Sequence, residues 1–112
     1  MSFPEDQVVE LKLLCPDVSE VEEAGCMYLL LPGLYLPDGC IPARTDALLC
    51  PTARDGYESR LFFADRIECK FVPNWNADGV RIVERNWHAF SWKISANLRL
   101  VQMVAAHLRA LR

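Results

Sequence analysis

Apolar residues near the start of the chain recur with the period of a helix. Ser2 is a suitable N-cap for it, and the first turn carries Pro4 and two acidic residues. Pro16 ends the pattern. The sequence therefore predicts a short N-terminal amphipathic helix. Its apolar positions are Val8, Leu11, Leu14 and Cys15.

Short apolar runs in the middle of the chain predict an antiparallel sheet. Residues 18–23 alternate weakly, and a turn at Ala24-Gly25 leads into the dense run Cys26–Leu31, which is typical of a central strand. Residues 31–46 contain three prolines and are expected to be irregular or an edge strand. Further strands are predicted over Asp46–Cys50, Arg60–Ala64 and Ile67–Val72, the last of these either extending its predecessor or standing alone.

The last third of the chain predicts a loop and then a helix. Turn-forming residues dominate Pro73–Gly79, which indicates a long surface loop. Ser95 is a candidate N-cap for a helix over residues 96–111, which has one apolar stripe. The prediction is a single α+β domain over residues 1–112, with an antiparallel β-meander of four to five strands between an N-terminal helix and a C-terminal amphipathic helix.

Composition and charge narrow the classes of function. A chain of 112 residues that is 52% hydrophobic can bury a core without a metal or disulfide, and a net charge of −3 argues against a general nucleic-acid binder. The charge is unevenly distributed: residues 1–23 hold seven acids and one lysine, and residues 81–112 hold six basic residues and one acid. We favour the interpretation that the two ends attract each other or are simply solvated faces over the alternative that the basic end docks an acidic protein.

Cofactors and membrane insertion are not expected. The five cysteines show no C-x-x-C spacing, and the five scattered glycines form no phosphate-binding loop. No apolar stretch approaches the length that spans a bilayer. We expect a cytoplasmic protein whose reduced cysteines mostly fill the core, and a partly exposed, structural His107.

Residues 73–93 hold the most informative set of side chains. All three tryptophans, His88 and Ser91 lie there. Buried tryptophans more often anchor a segment than form a site, and a serine more often caps a helix or lies on the surface. The residues alone therefore leave a structural role open beside a functional one.

The motif series LYLPDG, TDALL, GYESRLFF and NWHAFSW resembles the ubiquitin-conjugating (UBC) fold. The closer resemblance is to a bacterial family of compact ubiquitin-conjugating-like proteins, over nearly all of residues 8–112. Its most specific part is W-x-x-F-S, formed here by Trp87, Phe90 and Ser91. The resemblance implies partnership with a ubiquitin-like protein and a ubiquitin-activating-like enzyme, in bacterial systems of which some serve antiviral defence.

The chain departs from the family's usual catalytic pattern. Ubiquitin-conjugating enzymes carry His-Pro-Asn with a cysteine several residues later, whereas this chain has Val72-Pro73-Asn74 followed by Ile82 and Val83. An aliphatic side chain cannot carry an acyl group. If the resemblance holds, thioester chemistry at that position is excluded. Because none of the five cysteines lies at the expected place after Pro73-Asn74, none of them is expected to carry the acyl group.

The resemblance leaves two functions open. In the first, Ser91 carries the ubiquitin-like C-terminus as an oxyester, with His88 as its base and Asn74 as oxyanion donor. Family members often show Ser-Arg-His where this chain has Ser91-Trp92-Lys93. His88 therefore does not occupy the position of the family's histidine. In the second, the protein is an inactive variant that only binds the ubiquitin-like protein or its activating enzyme. We rank the oxyester first and an unrelated interaction module last. Trp87 and Phe90 are expected to support the site from the core.

Overall fold

The computed structural model describes residues 3–70 and 73–111, which form two α-helices and one six-stranded antiparallel sheet. Numbered along the chain, the strands lie in the sheet in the order first, second, third, fourth, sixth and fifth. The proposed N-cap Ser2 and the end of the strand expected over Ile67–Val72 lie outside the described residues. The described part of that segment, residues 67–70, is not a strand and contains only an isolated bridge between Glu68 and Ile41, so this prediction is wrong there. The elements are α1 Glu5–Leu14, β1 Ser19–Glu23, β2 Cys26–Tyr35, β3 Arg44–Cys50, β4 Arg60–Phe63, β5 Trp75–Ile82, β6 Arg85–Phe90, α2 Leu100–Leu108 and a 3-10 turn Arg109–Leu111.

The α+β class and a helix toward each end are confirmed, but the expected number of strands is wrong. The surface loop predicted over Pro73–Gly79 is largely strand β5, which pairs with β6. The pairing shifts register twice, once after Trp75 and once after Ala77, and Gly79 has a φ of +64°. Bulges of this kind let an edge strand accommodate turn-forming residues. The prediction of a loop over Pro73–Gly79, which rested on composition alone, is therefore wrong for most of the segment.

The C-terminal helix begins later than Ser95 predicted. Asn97 has a φ of +62°, a left-handed conformation that a helix does not contain. The helix starts at Leu100, whose backbone N–H donates to Gln7 Oε1 of α1 at 3.1 Å. The expected cap at Ser95 is therefore wrong. An N–H at the start of the helix, which has no partner within the helix, donates instead to the Gln7 side chain of α1.

Strands β2, β3 and β4 are apolar on both faces. The first face packs against α1 and α2 in the main core. Leu11 of α1 and Val104 of α2 are fully buried there. The sheet residues of this face are Leu29, Leu31, Ala47, Leu49, Leu61 and Phe63.

The second face is covered by the hairpin of β5 and β6. Trp87 and Ile82 of the hairpin join Tyr28, Leu48 and Phe62 in a second core cluster. β4 and β6 pair at Phe63 and His88. The tip of the hairpin reaches β1 at the opposite edge of the sheet, where Val83 contacts Glu23. The fold is consequently layered, with helices on one side and a β-hairpin on the other.

The tip of this hairpin has an unusual backbone. Val83 and Glu84 have φ values of +45° and +64°. Its backbone is also held from outside, because the N–H of Val83 donates to Glu23 Oε1 in β1 at 2.9 Å. Left-handed backbone is unfavourable for residues other than glycine, so the sheet beneath holds the turn in place.

The uneven charge of the sequence is partly explained by contact between its two ends. The Arg99 guanidinium lies 2.7 Å from Asp6 and 2.9 Å from Glu10 of α1. For these three side chains, the interpretation that the acidic and basic ends attract each other is confirmed. Neither helix in the described part of the chain is long and apolar enough to cross a membrane.

Helix α1 offers a matched pair of leucines for testing its packing. Leu11 is fully buried and Leu13 is 87% exposed. We expect Leu11→Ala to lower the free energy of unfolding by about 2 to 5 kcal/mol, because it leaves a cavity. Leu13→Ala makes the same change in helix propensity and should cost under about 0.5 kcal/mol. Urea denaturation of both variants measures the difference, and equal costs would contradict the packing of α1.

Candidate functional site

Ser91 directly follows β6 and lies opposite Asn74. Its backbone N–H donates to the Asn74 carbonyl at 2.7 Å, next to the paired residues Trp75 and Phe90. Directly opposed residues of antiparallel strands place their side chains on the same side. Of the residues expected to form the site, the structure brings Asn74 and Ser91 together.

His88 belongs to a different cluster. A helical turn over residues 88–91 would place His88 beside Ser91, but residues up to Phe90 are extended, and positions three apart in a strand face opposite sides. The His88 Nδ1 lies 3.0 Å from Asp78 Oδ1. Asp78 also binds Arg66, and the Arg66 guanidinium, helped by His88, lowers the pKa of Asp78 to about 2. His88 is therefore not positioned as a base for Ser91.

Tyr57 takes the place beside Ser91 that was expected for the histidine. The Ser91 Oγ and the Tyr57 hydroxyl are 2.8 Å apart, and Asn76 Nδ2 donates to the same hydroxyl at 3.0 Å. The hydrogen bond to Ser91 lowers the pKa of Tyr57, with further contributions from Asn76 and from the positive charges of Arg60 and Lys93. Each of these favours the phenolate over the phenol.

A buried arginine organises the polar residues around Tyr57. The Arg60 side chain is only 4% exposed, and its guanidinium carbon lies 4.5 Å from the centre of the Tyr57 ring. Its Nη2 donates to Asn76 Oδ1 at 2.5 Å and to the Phe90 carbonyl at 3.2 Å, and its Nη1 lies 3.4 Å from Asp55 Oδ2. Arg60 thus holds the 55–57 turn against β5 and the end of β6.

A tight turn presents Tyr57 to the site. Arg54 and Tyr57 exchange two backbone hydrogen bonds of 2.9 Å, and the residues between them, Asp55 and Gly56, have φ values of +54° and +86°. Asp-Gly is a preferred pair for a two-residue turn with positive φ at both positions. This dipeptide was the signal in the sequence that could have drawn attention to Tyr57. No comparable local signal marks Arg60 or Asn76.

Trp87 and Phe90 lie beneath the site and are buried, as expected. Trp87 is fully buried, and its Nε1 donates to the Ile82 carbonyl at 2.9 Å. The Phe90 ring stacks on Phe63 with centroids 5.6 Å apart and meets the edge of Trp75 at 5.3 Å. These contacts restrict the movement of the strand that ends at Ser91.

Ser91 and Tyr57 together have the chemistry of a nucleophile and its general base. A serine hydroxyl is a weak nucleophile until a neighbouring group accepts its proton. Tyr57 lies at hydrogen-bond distance for that purpose, and both residues are partly exposed. Within residues 3–70 and 73–111, no three His, Cys, Asp or Glu side chains converge as a metal site would require.

A shallow groove lies along α2 and begins at Trp92, the residue after Ser91. Its volume is about 340 Å³, and one wall is Trp92, whose Nε1 donates to the Ala106 carbonyl of the helix at 2.9 Å. Lys93 and Arg109 also line it. An extended segment with a negative charge is the kind of ligand that suits its apolar floor and basic rim.

A pair formed by a serine and a histidine other than Ser91 and His88 is enclosed in the core. Ser59 Oγ and His107 Nε2 are 2.7 Å apart, but the two residues are only 1% and 2% exposed. The expectation of a partly exposed His107 is wrong, because α2 packs the His107 ring against Ser59, the residue before β4. A pair so enclosed joins the helix to the sheet and is not accessible to a substrate.

Comparisons of the chain with protein-family models, curated proteins and solved structures find no match. The resemblance to ubiquitin-conjugating proteins therefore stays a prediction.

The buried His107 makes stability depend on pH. Burial, together with the charge of Arg60, lowers the pKa of His107 to about 4, whereas an unfolded histidine titrates near 6.5. Between these values the unfolded chain binds a proton that the folded chain does not. We therefore expect the free energy of unfolding to fall by about 3 kcal/mol as the pH drops from about 6.5 to about 4.

Chemical denaturation at several pH values measures this slope. His107→Gln should flatten it, since glutamine does not titrate. His88→Gln is the matched control and should keep it, because His88 is not enclosed in the core. A slope that disappears with His88→Gln and persists with His107→Gln would contradict the assignment.

Proposed function

We propose that this chain is a ubiquitin-conjugating-like acyl carrier that holds the C-terminal acyl group of a ubiquitin-like protein on Ser91 as an oxyester. Tyr57, in place of His88, accepts the serine proton. The observation that carries the proposal is the 2.8 Å contact between Ser91 Oγ and the Tyr57 hydroxyl, in a setting that lowers the pKa of Tyr57.

The transfer step follows from this pair. Ser91 Oγ forms a bond to the carbonyl carbon of an incoming thioester while its proton passes to the Tyr57 phenolate. The resulting oxyanion accepts a hydrogen bond from the side chain of Asn74, the residue opposite Ser91 in the strand pair. Collapse of the intermediate breaks the carbon–sulfur bond, and the proton on Tyr57 passes to the leaving thiolate. The products are the Ser91 oxyester and a free thiol.

Three features favour Tyr57 as the base. Tyr57 is at hydrogen-bond distance from Ser91, whereas the His88 ring pairs with Asp78. A tyrosine normally titrates near pH 10, so a lowered pKa raises the fraction of phenolate near neutral pH. Arg60, one of the cations that lower this pKa, is buried beside the Tyr57 ring and therefore keeps its position.

The alternative is a binding-only variant of the same family. It is favoured by the absence of the family's histidine and cysteine at Val72 and at Ile82 or Val83. In that case the hydrogen bonds among Tyr57, Asn76 and Ser91 would serve only to hold the end of β6. A covalent adduct on Ser91 separates the two functions.

A synthetic peptide thioester ending in glycine can replace the unidentified partners. We expect the purified chain to gain the peptide acyl group on Ser91, as located by peptide mapping. The adduct should survive dithiothreitol and disappear in mild hydroxide, as an oxyester does. The rate of acylation should rise with pH, because the phenolate form of Tyr57 is the active base.

Four variants complete the experiment. Ser91→Ala should lose the adduct, and Tyr57→Phe should slow its formation by about 10²-fold or more. His88→Ala and Cys69→Ala are matched controls that should acylate at the rate of the unmodified chain. If a folded chain with intact Ser91 forms no adduct, the binding-only function replaces the proposal. Loss of the adduct with Cys69→Ala would contradict the proposal and support a thioester on Cys69.

A further inference from the structure

Two cysteines that are far apart in sequence face each other beside the main core. Ile41 and Glu68 form an isolated antiparallel bridge in which each backbone N–H donates to the other residue's carbonyl, at 2.7 and 2.8 Å. One residue outward from such a doubly bonded pair, the next two positions form a non-hydrogen-bonded pair. Those positions are Cys40 and Cys69.

The geometry of that position suits a disulfide. The Cα atoms of a non-hydrogen-bonded pair are about 4.5 Å apart, and their side chains point to the same side. Disulfides span Cα separations of roughly 4.4 to 6.8 Å. A bond between these sulfurs therefore needs no large movement of the backbone.

Two further observations place the sulfurs close together. Cys40 is buried in the main core, and the partly buried Cys69 packs against the same cluster. Burial raises the pKa of the Cys40 thiol, and the nearby Cys69 thiol raises it further. All five cysteines are thiols in the structure.

The two cysteines differ in their access to solvent. Cys69 lines a surface pocket of about 450 Å³ together with Arg66, Pro73 and Trp75. Cys40 is only 6% exposed, and its Sγ lies 3.8 Å from the Leu111 carbonyl. A disulfide reagent in solution therefore reaches Cys69 first. The buried Cys40 thiol reacts afterwards, with the modified Cys69.

We propose that Cys40 and Cys69 are a redox modification site that closes into a cross-strand disulfide when the protein meets a low-molecular-weight disulfide. The Cys69 thiolate attacks one sulfur of the reagent and releases the other half as a thiol. Cys40 loses its proton and attacks the Cys69 sulfur, which releases the second half. The protein is oxidised by two electrons, and one reagent disulfide is reduced to two thiols.

The new bond would join two segments that already pair at the Ile41 and Glu68 bridge. One is the proline-rich connection between β2 and β3, and the other leads toward Pro73 and Asn74. The site goes beyond the acyl-carrier function and does not depend on it, since neither sulfur belongs to the Ser91 and Tyr57 pair.

The experiment uses the reduced, folded chain and glutathione disulfide at neutral pH. We expect the intact protein to lose the mass of two hydrogens without retaining glutathione, and peptide mapping to find Cys40 joined to Cys69. Addition of dithiothreitol should restore the starting mass. A stable mixed disulfide on Cys69 in the unmodified chain would overturn the proposal.

Variants identify the order of the steps. Cys40→Ser should trap glutathione on Cys69, because the resolving thiol is gone, and Cys69→Ser should lose the internal disulfide. Cys26→Ser is the matched control, since Cys26 is exposed at the turn between β1 and β2, and it should behave like the unmodified chain. If the internal disulfide survives Cys40→Ser, another cysteine is the partner and the proposal is wrong. If a variant fails to fold, the mapping on the unmodified chain still decides the pairing.

Discussion

The whole structure depends on covering both faces of three apolar strands. Strands β2, β3 and β4 bury leucine and phenylalanine side chains on each side, and each such side chain contributes about 1.5 to 3 kcal/mol when removed from water. Two short helices can cover only one side. The rest of the chain must supply a second cover, and the hairpin of β5 and β6 does so with Trp87 at its centre.

The candidate site is a product of the same packing. Docking the hairpin brings Asn76 and the end of β6 against the turn that carries Tyr57, and Arg60 becomes buried among them. A buried cation is costly unless it is paired and hydrogen-bonded. Arg60 meets that requirement only when Asn76, Asp55 and the Phe90 carbonyl are all in place. The polar network and the apolar cover therefore stabilise each other.

The sequence could predict what periodicity and local composition specify. The continuous apolar runs of β2, β3 and β4 and the stripe of the last helix follow from the sequence pattern, and so does the burial of Trp87 and Phe90. Strand β5 could not be found in this way, because Asn76, Asp78 and Gly79 are residues that turns prefer and only pairing with β6 makes the segment extended. The start of α2 depends on Gln7, which is more than 90 residues away along the chain.

The candidate site was predictable only in part for a related reason. Asn74 and Ser91 follow from a motif, whereas the neighbours of Ser91 depend on strand pairing. The assumption of a helical turn placed His88 beside Ser91, and an extended backbone turns it to the other side. Tyr57 and Arg60 lie more than 30 residues before Ser91, so the contact of Tyr57 with Ser91 and that of Arg60 with the Phe90 carbonyl arise from the tertiary fold.

The positive φ values of Val83 and Glu84 have a consequence for the order in which the molecule assembles. A hairpin whose turn is disfavoured by its own residues gains little from forming alone, and it becomes stable only against an existing apolar surface. The central strands must therefore pair before the hairpin can dock. Ser91 and Tyr57 meet only at that final step, so partly folded chains in the cell would carry the serine without its partner.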